Sequence, residues 1–234
     1  MKVLRTSAVM AILTVAMLIA GATVQGADPV LVKDLGAAND VSAPLSNKGI
    51  LYFPVLTDTK SSDGTVVYTG SLWQSDGTNA GTKKLYDFGA GTGIVAITTF
   101  KGVLYLGVNI TTTNPDGSTT VGDSLYTNDG TAKGTKKIMD FGAGTAIDFL
   151  TPVKDLVYFS ITTKKTNADG STSSSGALWK TDGTAANTKK VKDFGADVVI
   201  TGTQVNKGVL YLTIKTTTKN ADGSSAVAWS LWKY

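Results

Sequence analysis

LWQSDGTNAGT (Leu72–Thr82), LYTNDGTAKGT (Leu125–Thr135) and LWKTDGTAANT (Leu178–Thr188) are three versions of one phrase, set a constant 53 residues apart. The same step separates Trp73, Tyr126, Trp179 and Trp232. It also separates Asp34, Asp87, Asp140 and Asp193, then Tyr52, Tyr105, Tyr158 and Tyr211, and the loop Asp-Gly pairs that begin at Asp63, Asp116, Asp169 and Asp222. A fixed period of this length marks a repeated supersecondary unit, so the repeat decides the architecture before any single motif does. Four units without insertion or deletion cover 23–234.

Within a unit the punctuation is that of short antiparallel strands. Val103–Ile110 (VLYLGVNI) is apolar and β-rich, as are 50–56, 156–161 and 209–214. A Thr, Asn, Asp, Gly and Ser loop follows each, then a strand ending in Leu-Trp or Leu-Tyr. The Asp-Gly after it, as at Asp76-Gly77 and Asp182-Gly183, favours a tight turn because both residues tolerate positive φ. A strand such as Lys83–Phe88 (KKLYDF) completes the outer side, and Ile94–Phe100 supplies a fourth, inner one. Four antiparallel strands in such a unit make one blade, so the expected fold is an all-β, four-bladed β-propeller. Trp73, Phe88, Tyr105 and Phe141 are expected to fill the space between blades, and Gly89-Ala90-Gly91 and Gly142-Ala143-Gly144 to turn the chain from one blade to the next.

The last unit stops at Tyr234, before its outer strand, while 30–35 (VLVKDL) fall in register with Lys83–Phe88. The expectation is a ring closed by this N-terminal strand pairing with the C-terminal blade. The lysine pairs 83-84, 136-137 and 189-190 lie on the predicted outermost strand, where charge opposes edge-to-edge association.

Residues 1–26 read as a signal peptide: Lys2 and Arg5 precede an apolar run from about Ala8 to Ala22, and Val24 and Gly26 are small residues at the right spacing for cleavage before Ala27. The expectation is an exported chain, periplasmic or extracellular, with residues 27–234 as a single propeller domain and no membrane span after cleavage. Beyond Arg5 the basic residues are all lysine and the acidic ones all aspartate; with Lys2 and Arg5 removed, 20 lysines face 18 aspartates. That balance offers no concentrated basic face for nucleic acid.

The three DGT phrases and their flanks resemble the bacterial ELWxxDGT repeat family. Ser71, Ser124 and Ala177 replace its leading Glu, Tyr126 its Trp in one unit, and Asn187 its second Gly in another; the last unit keeps only Ser230-Leu231-Trp232. The resemblance implies a propeller fold and export, and it brings no catalytic residues.

The chain has no His, Cys or Glu. It therefore lacks the imidazole or thiol of the usual nucleophilic triads and the common zinc ligands. The loops Asn114-Pro115-Asp116-Gly117, Asn167-Ala168-Asp169-Gly170 and Asn220-Ala221-Asp222-Gly223 echo part of a calcium loop. Thr112, Lys165 and Thr218 stand where its first Asp belongs, and no Glu can close the shell, so they read as hairpin turns. No catalytic, cofactor or metal residue is assigned. The expected function is a non-catalytic exported scaffold binding protein or a cell-surface glycan, with a lectin-like propeller as the alternative and an Asp-dependent glycoside hydrolase third. A specific site should lie where units differ. On the inner strand the outlier is Asp148, aligned with Ser42, Val95 and Thr201, either a charge at the channel mouth or a side chain facing solvent at a strand end.

Overall fold

A computed structural model describes residues 29–234, apart from 38, 43, 61, 63, 168, 169 and 221. The expected signal peptide 1–26, Asp63, Ala168-Asp169 and Ala221 lie outside the described residues. Those that are described form β-strands joined by turns, with no helix among them.

The first unit holds β1 (Asn39–Val41), β2 (Leu45–Asn47), β3 (Ile50–Lys60), β4 (Val66–Ser75) and β5 (Lys83–Ala90). The second holds β6 (Thr92–Phe100), β7 (Val103–Thr113), β8 (Thr119–Asn128) and β9 (Lys136–Ala143). The third holds β10 (Thr145–Val153), β11 (Leu156–Thr166), β12 (Thr172–Thr181) and β13 (Lys189–Ala196), and the last β14 (Val198–Asn206), β15 (Val209–Lys219) and β16 (Ser225–Lys233). Each is an antiparallel meander in chain order, β6-β7-β8-β9 for example, so the lysine pairs do lie on the outer strand. Lys84, Lys137 and Lys190 pair there with Asp87, Asp140 and Asp193 at 2.8, 3.3 and 2.8 Å. These are exposed pairs and contribute little stability.

The DGT phrase is explained by its turn. Asp76 Oδ1 accepts from both the backbone N (2.9 Å) and Oγ1 (2.7 Å) of Thr78, and Asp129 and Asp182 repeat this with Thr131 and Thr184. Gly130 and Gly183 have φ of 93° and 97°, and a Cβ there would come within 2.8 and 2.7 Å of the hydroxyls of Tyr52 and Tyr105. Tyr52 and Tyr105 thus each reach into the DGT turn of the following unit, and only Gly leaves room for them.

The core consists of junctions between units. Leu72, Leu104, Leu106 and Val108 join the first two, Leu125, Ile147, Val157 and Phe159 the second and third, and Leu178, Ile200, Leu210 and Leu212 the third and last. At each junction an outer-strand Phe is set edge-on against the next unit's repeated aromatic: Phe88 on Tyr126 at 5.3 Å, Phe141 on Trp179 at 5.2 Å, Phe194 on Trp232 at 5.6 Å. Crossing from one unit to the next takes a single residue, Gly91 or Gly144 with positive φ, and Asp197 (φ 58°) in the last case.

The expected ring closure is not formed. Residues 30–35 carry no strand; Lys33 Nζ instead donates to the carbonyl of Thr82 in the first unit at 2.7 Å. Among the described residues no strand pairs with the outer side of β16, and every residue of β16 is exposed. Nor, among the described residues, do all units carry four strands: the inner strand of the first is broken into β1 and β2, and three strands follow in the last.

One departure from repeat symmetry leaves a polar group unpaired. Trp73 and Trp232 donate their indole N–H to Ser71 and Ser230 at 3.0 and 2.8 Å. At the equivalent of that serine, Trp179 finds Ala177, and its Nε1 is buried without a partner. Restoring the acceptor with Ala177→Ser should raise unfolding stability by about 1 kcal/mol, read from the urea midpoint at constant m-value. An unchanged or lowered midpoint would show that the indole gains nothing from the hydroxyl.

Candidate active site

The inner-strand outlier Asp148 is neither at a strand end nor facing solvent. It sits within β10 at a break in register, between its pairing with Ser160 and that of Thr151 with Tyr158. Its side chain is half-buried, and Thr162 Oγ1 donates to its Oδ2 at 3.4 Å. Burial raises the pKa of Asp148, opposed by the Thr162 hydroxyl and by Lys164.

Beside it lies Asp123 on β8, a residue that sequence reasoning missed. Its repeat equivalents are Gly70, Gly176 and Trp229. At Gly70 and Gly176 the next unit's backbone comes so close that a Cβ would meet Gly93 Cα at 2.8 Å or Val198 O at 2.7 Å. In the second unit an aspartate occupies this position, and its Oδ2 accepts from the backbone N of Ile147 on the next unit at 2.7 Å. The Asp123 backbone N donates to Thr145 Oγ1 at 3.2 Å, as Gly70 N does to Thr92 Oγ1.

Asp123 is only 3% exposed. Burial pushes its carboxyl up to about 6, the Ile147 N–H pulls it down, and the charge of Asp148 raises it further. The result is two carboxyl groups from successive units, each held above the ordinary range, with Asp123 still carrying its proton in part near neutral pH. The turn aspartates show the opposite behaviour. Asp76, Asp129 and Asp182 are held low, first by the Thr hydroxyl each accepts from.

A groove of about 690 Å³ lies between the first two units, lined among others by Asp40, Tyr68, Thr92, Asn109 and Thr111. Asn109 is the cross-strand partner of Asp123, so the groove and the acidic pair share the β7–β8 ladder. Tyr68 is about half exposed. Two of the repeated tryptophans are poorly placed as sugar platforms: Trp73 stacks on Phe53 at 6.4 Å and Trp179 is wedged between Phe141 and Phe159. The Asn-x-Asp-Gly loops close on themselves: Asp116 Oδ1 accepts from the N and Oγ of Ser118, and Asp222 does the same with Ser224.

No protein-family model matches the chain, and no curated protein does. Solved structures do. A mannose phosphorylase from Leishmania mexicana aligns over 84% of this chain and 64% of its own at 9% identity and TM-score 0.42. A sucrose-6-phosphate hydrolase from Lactobacillus gasseri aligns over 82% and 45% at 12% identity and TM-score 0.41. An exo-1,5-α-L-arabinanase from a bovine ruminal metagenomic library aligns over 82% and 77% at 14% identity and TM-score 0.35. The chain thus spans less than two thirds of the length of the first two. All three are named as enzymes that act on carbohydrate, against the expectation of a non-catalytic scaffold and of a chain that is not an enzyme. The likeness is too distant to assign an activity. In physical terms the earlier expectation failed because it treated the aspartates as turn residues and overlooked the buried one.

The raised pKa of Asp123 has a stability consequence. The unfolded carboxyl ionises near 4 and the folded one near 6, so the folded state binds the proton more tightly between these values. Its contribution is full below about 4 and is lost as pH rises through about 6. The turn aspartates are already ionised across this window. Urea unfolding between pH 4 and 7 should show stability falling by roughly 2 kcal/mol, discounted for solvent screening, with most of that fall absent in Asp123→Asn. An identical pH dependence in both proteins would contradict the assignment.

Proposed function

We propose that the protein hydrolyses glycosidic bonds, with Asp123 as general acid and Asp148 as general base. The reading rests on one observation: two carboxyl groups with raised pKa stand together where the repeat otherwise carries Gly or Trp at one position and Ser, Val or Thr at the other. Glycoside hydrolysis in its commonest form needs two carboxyl groups in different protonation states flanking one bond. Asp123, with a pKa of about 6, suits the acid, because a general acid works best when its pKa lies near the operating pH. Asp148 keeps an exposed portion and has Lys164 nearby to favour its charged form, which suits the base. The groove next to Asn109 offers hydroxyl, amide and carboxylate groups and the face of Tyr68, a lining suited to a sugar.

We read the scaffold as a four-bladed propeller and the chain as an exported protein of the ELWxxDGT repeat type. Support for this comes from the 53-residue period, the four strand groups and the signal-like first residues.

The test is a screen of aryl glycosides and oligosaccharides with the full chain, followed by Asp123→Asn and Asp148→Asn on any substrate that turns over. Each variant should lower kcat by about 10²-fold or more. Activity of the unsubstituted protein should decline above about pH 6 as Asp123 loses its proton. Turnover that survives both substitutions would refute the assignment, and so would the absence of hydrolysis across the screen.

A further inference from the structure

We propose that the turns at the ends of the inner strands form a row of lysines that binds an acidic polysaccharide, a sugar polymer bearing carboxylate or sulfate groups. The argument is independent of the catalytic reading. After β2, β6, β10 and β14 the chain reverses in two residues: Lys48-Gly49, Lys101-Gly102, Lys154-Asp155 and Lys207-Gly208. Asp148 and the Asp40 and Thr92 of the groove lie toward the start of the inner strands, and these turns at the finish.

The four lysines have φ of 51°, 50°, 53° and 48°. Left-handed backbone suits Gly, Asn or Asp and is uncommon for a long side chain. The residue before the lysine varies, as Asn47, Phe100, Val153 and Asn206, yet the lysine stands in all four units. A turn alone would be better served by Asn, so the repeated choice points to a use for the ammonium group. All four lysines are exposed.

Successive turns touch. Asn47 Nδ2 donates to the carbonyl of Gly102 at 3.1 Å. Lys48 lies across that turn, with its Nζ 2.6 Å from where a Gly102 Cβ would stand, and Lys154 Cε comes to 3.9 Å of the same place on Gly208. Lys101 reaches over in the same way but meets Asp155, which stands where the other turns carry Gly, and its Nζ donates to Oδ1 at 2.7 Å. Among the described residues Lys48, Lys154 and Lys207 have no carboxylate partner. Four ammonium groups in a continuous row thus face one carboxylate.

The form of the row selects the ligand. A lysine is a compact point charge without the planar fork that grips one phosphate or base edge, so a line of them fits a polymer with anionic groups spaced along it. Exposed Ser46, Gln204 and Asn206 on the same strands add hydroxyl and amide groups that match sugar hydroxyls. Nucleic acid would also call for open aromatic faces on which bases stack. Phe100 precedes one turn, and Lys101 lies over its ring at 5.2 Å.

The test is binding of the full chain to polygalacturonate and to dextran sulfate, with dextran and single-stranded DNA alongside, at low and high salt. One variant combines Lys48→Asn, Lys154→Asn and Lys207→Asn; Asn accepts this backbone, so the fold should hold. A control combines Lys60→Gln, Lys165→Gln and Lys219→Gln, which removes as many charges from exposed positions at the far ends of β3, β11 and β15. The proposal expects salt-sensitive binding to one or both acidic polymers and none to dextran, and the tighter of the two names the anionic group. The turn variant should weaken it about tenfold or more and the control little. Asp155→Gly, which frees Lys101, should tighten it about two- to fivefold. Equal weakening by both triple variants would reduce the effect to net charge and overturn the proposal. Failure to bind either acidic polymer overturns it too, as does tighter binding to the DNA than to both.

Discussion

Each unit of this protein is a thin meander that cannot bury its own faces, and the interaction on which everything else depends is the junction between successive units. An edge-on Phe from one outer strand meets the aromatic of the next unit, with ring centroids 5.2 to 5.6 Å apart at all three junctions. Beneath it the repeated leucines close the gap. Such aromatic contacts add about 0.5–1.5 kcal/mol beyond area burial, and the leucines about 1.5–3 kcal/mol each. A stack of this kind is stable only as an array, which is why a uniform 53-residue period and single-residue crossings matter more than any one strand.

The periodic part of this design was open to reading. Identical residues at a fixed step must occupy equivalent environments, so Phe88, Tyr105 and Phe141 could be placed at junctions between units, though Trp73 stacks within its own, and the DGT turns and lysine-bearing outer strands could be located. The closure of the ring could not be read in the same way. Register aligns residues 30–35 with the outer strands of the later units, but it says nothing about how far successive units rotate. Lys33 is held by the first unit at Thr82, and the last sheet ends at an open edge.

The site was half legible for a related reason. Asp148 stood out because its equivalents are uncharged, but one outlying carboxylate suggested solvent. Asp123 was counted with the many aspartates that serve turns. The signal was present in the alignment of Gly70, Asp123, Gly176 and Trp229: a carboxylate where two units need a bare backbone must either clash or acquire a partner. The structure gives it one in Ile147 N, and the cost of burial appears as a carboxyl raised to about 6. Among the described residues, the same junction that supplies stability thus supplies the environment where aspartate chemistry departs furthest from that of a solvated turn.

The central claim, that edge-on aromatic contacts lock successive units together, is tested most directly by a double-mutant cycle on Phe141 and Trp179. Unfolding free energies of Phe141→Leu, Trp179→Leu and the double variant give the coupling without the separate costs of each truncation. The account predicts a favourable coupling of about 1 kcal/mol. Strictly additive effects would mean that the two rings are merely neighbours, and that the units are held by something else.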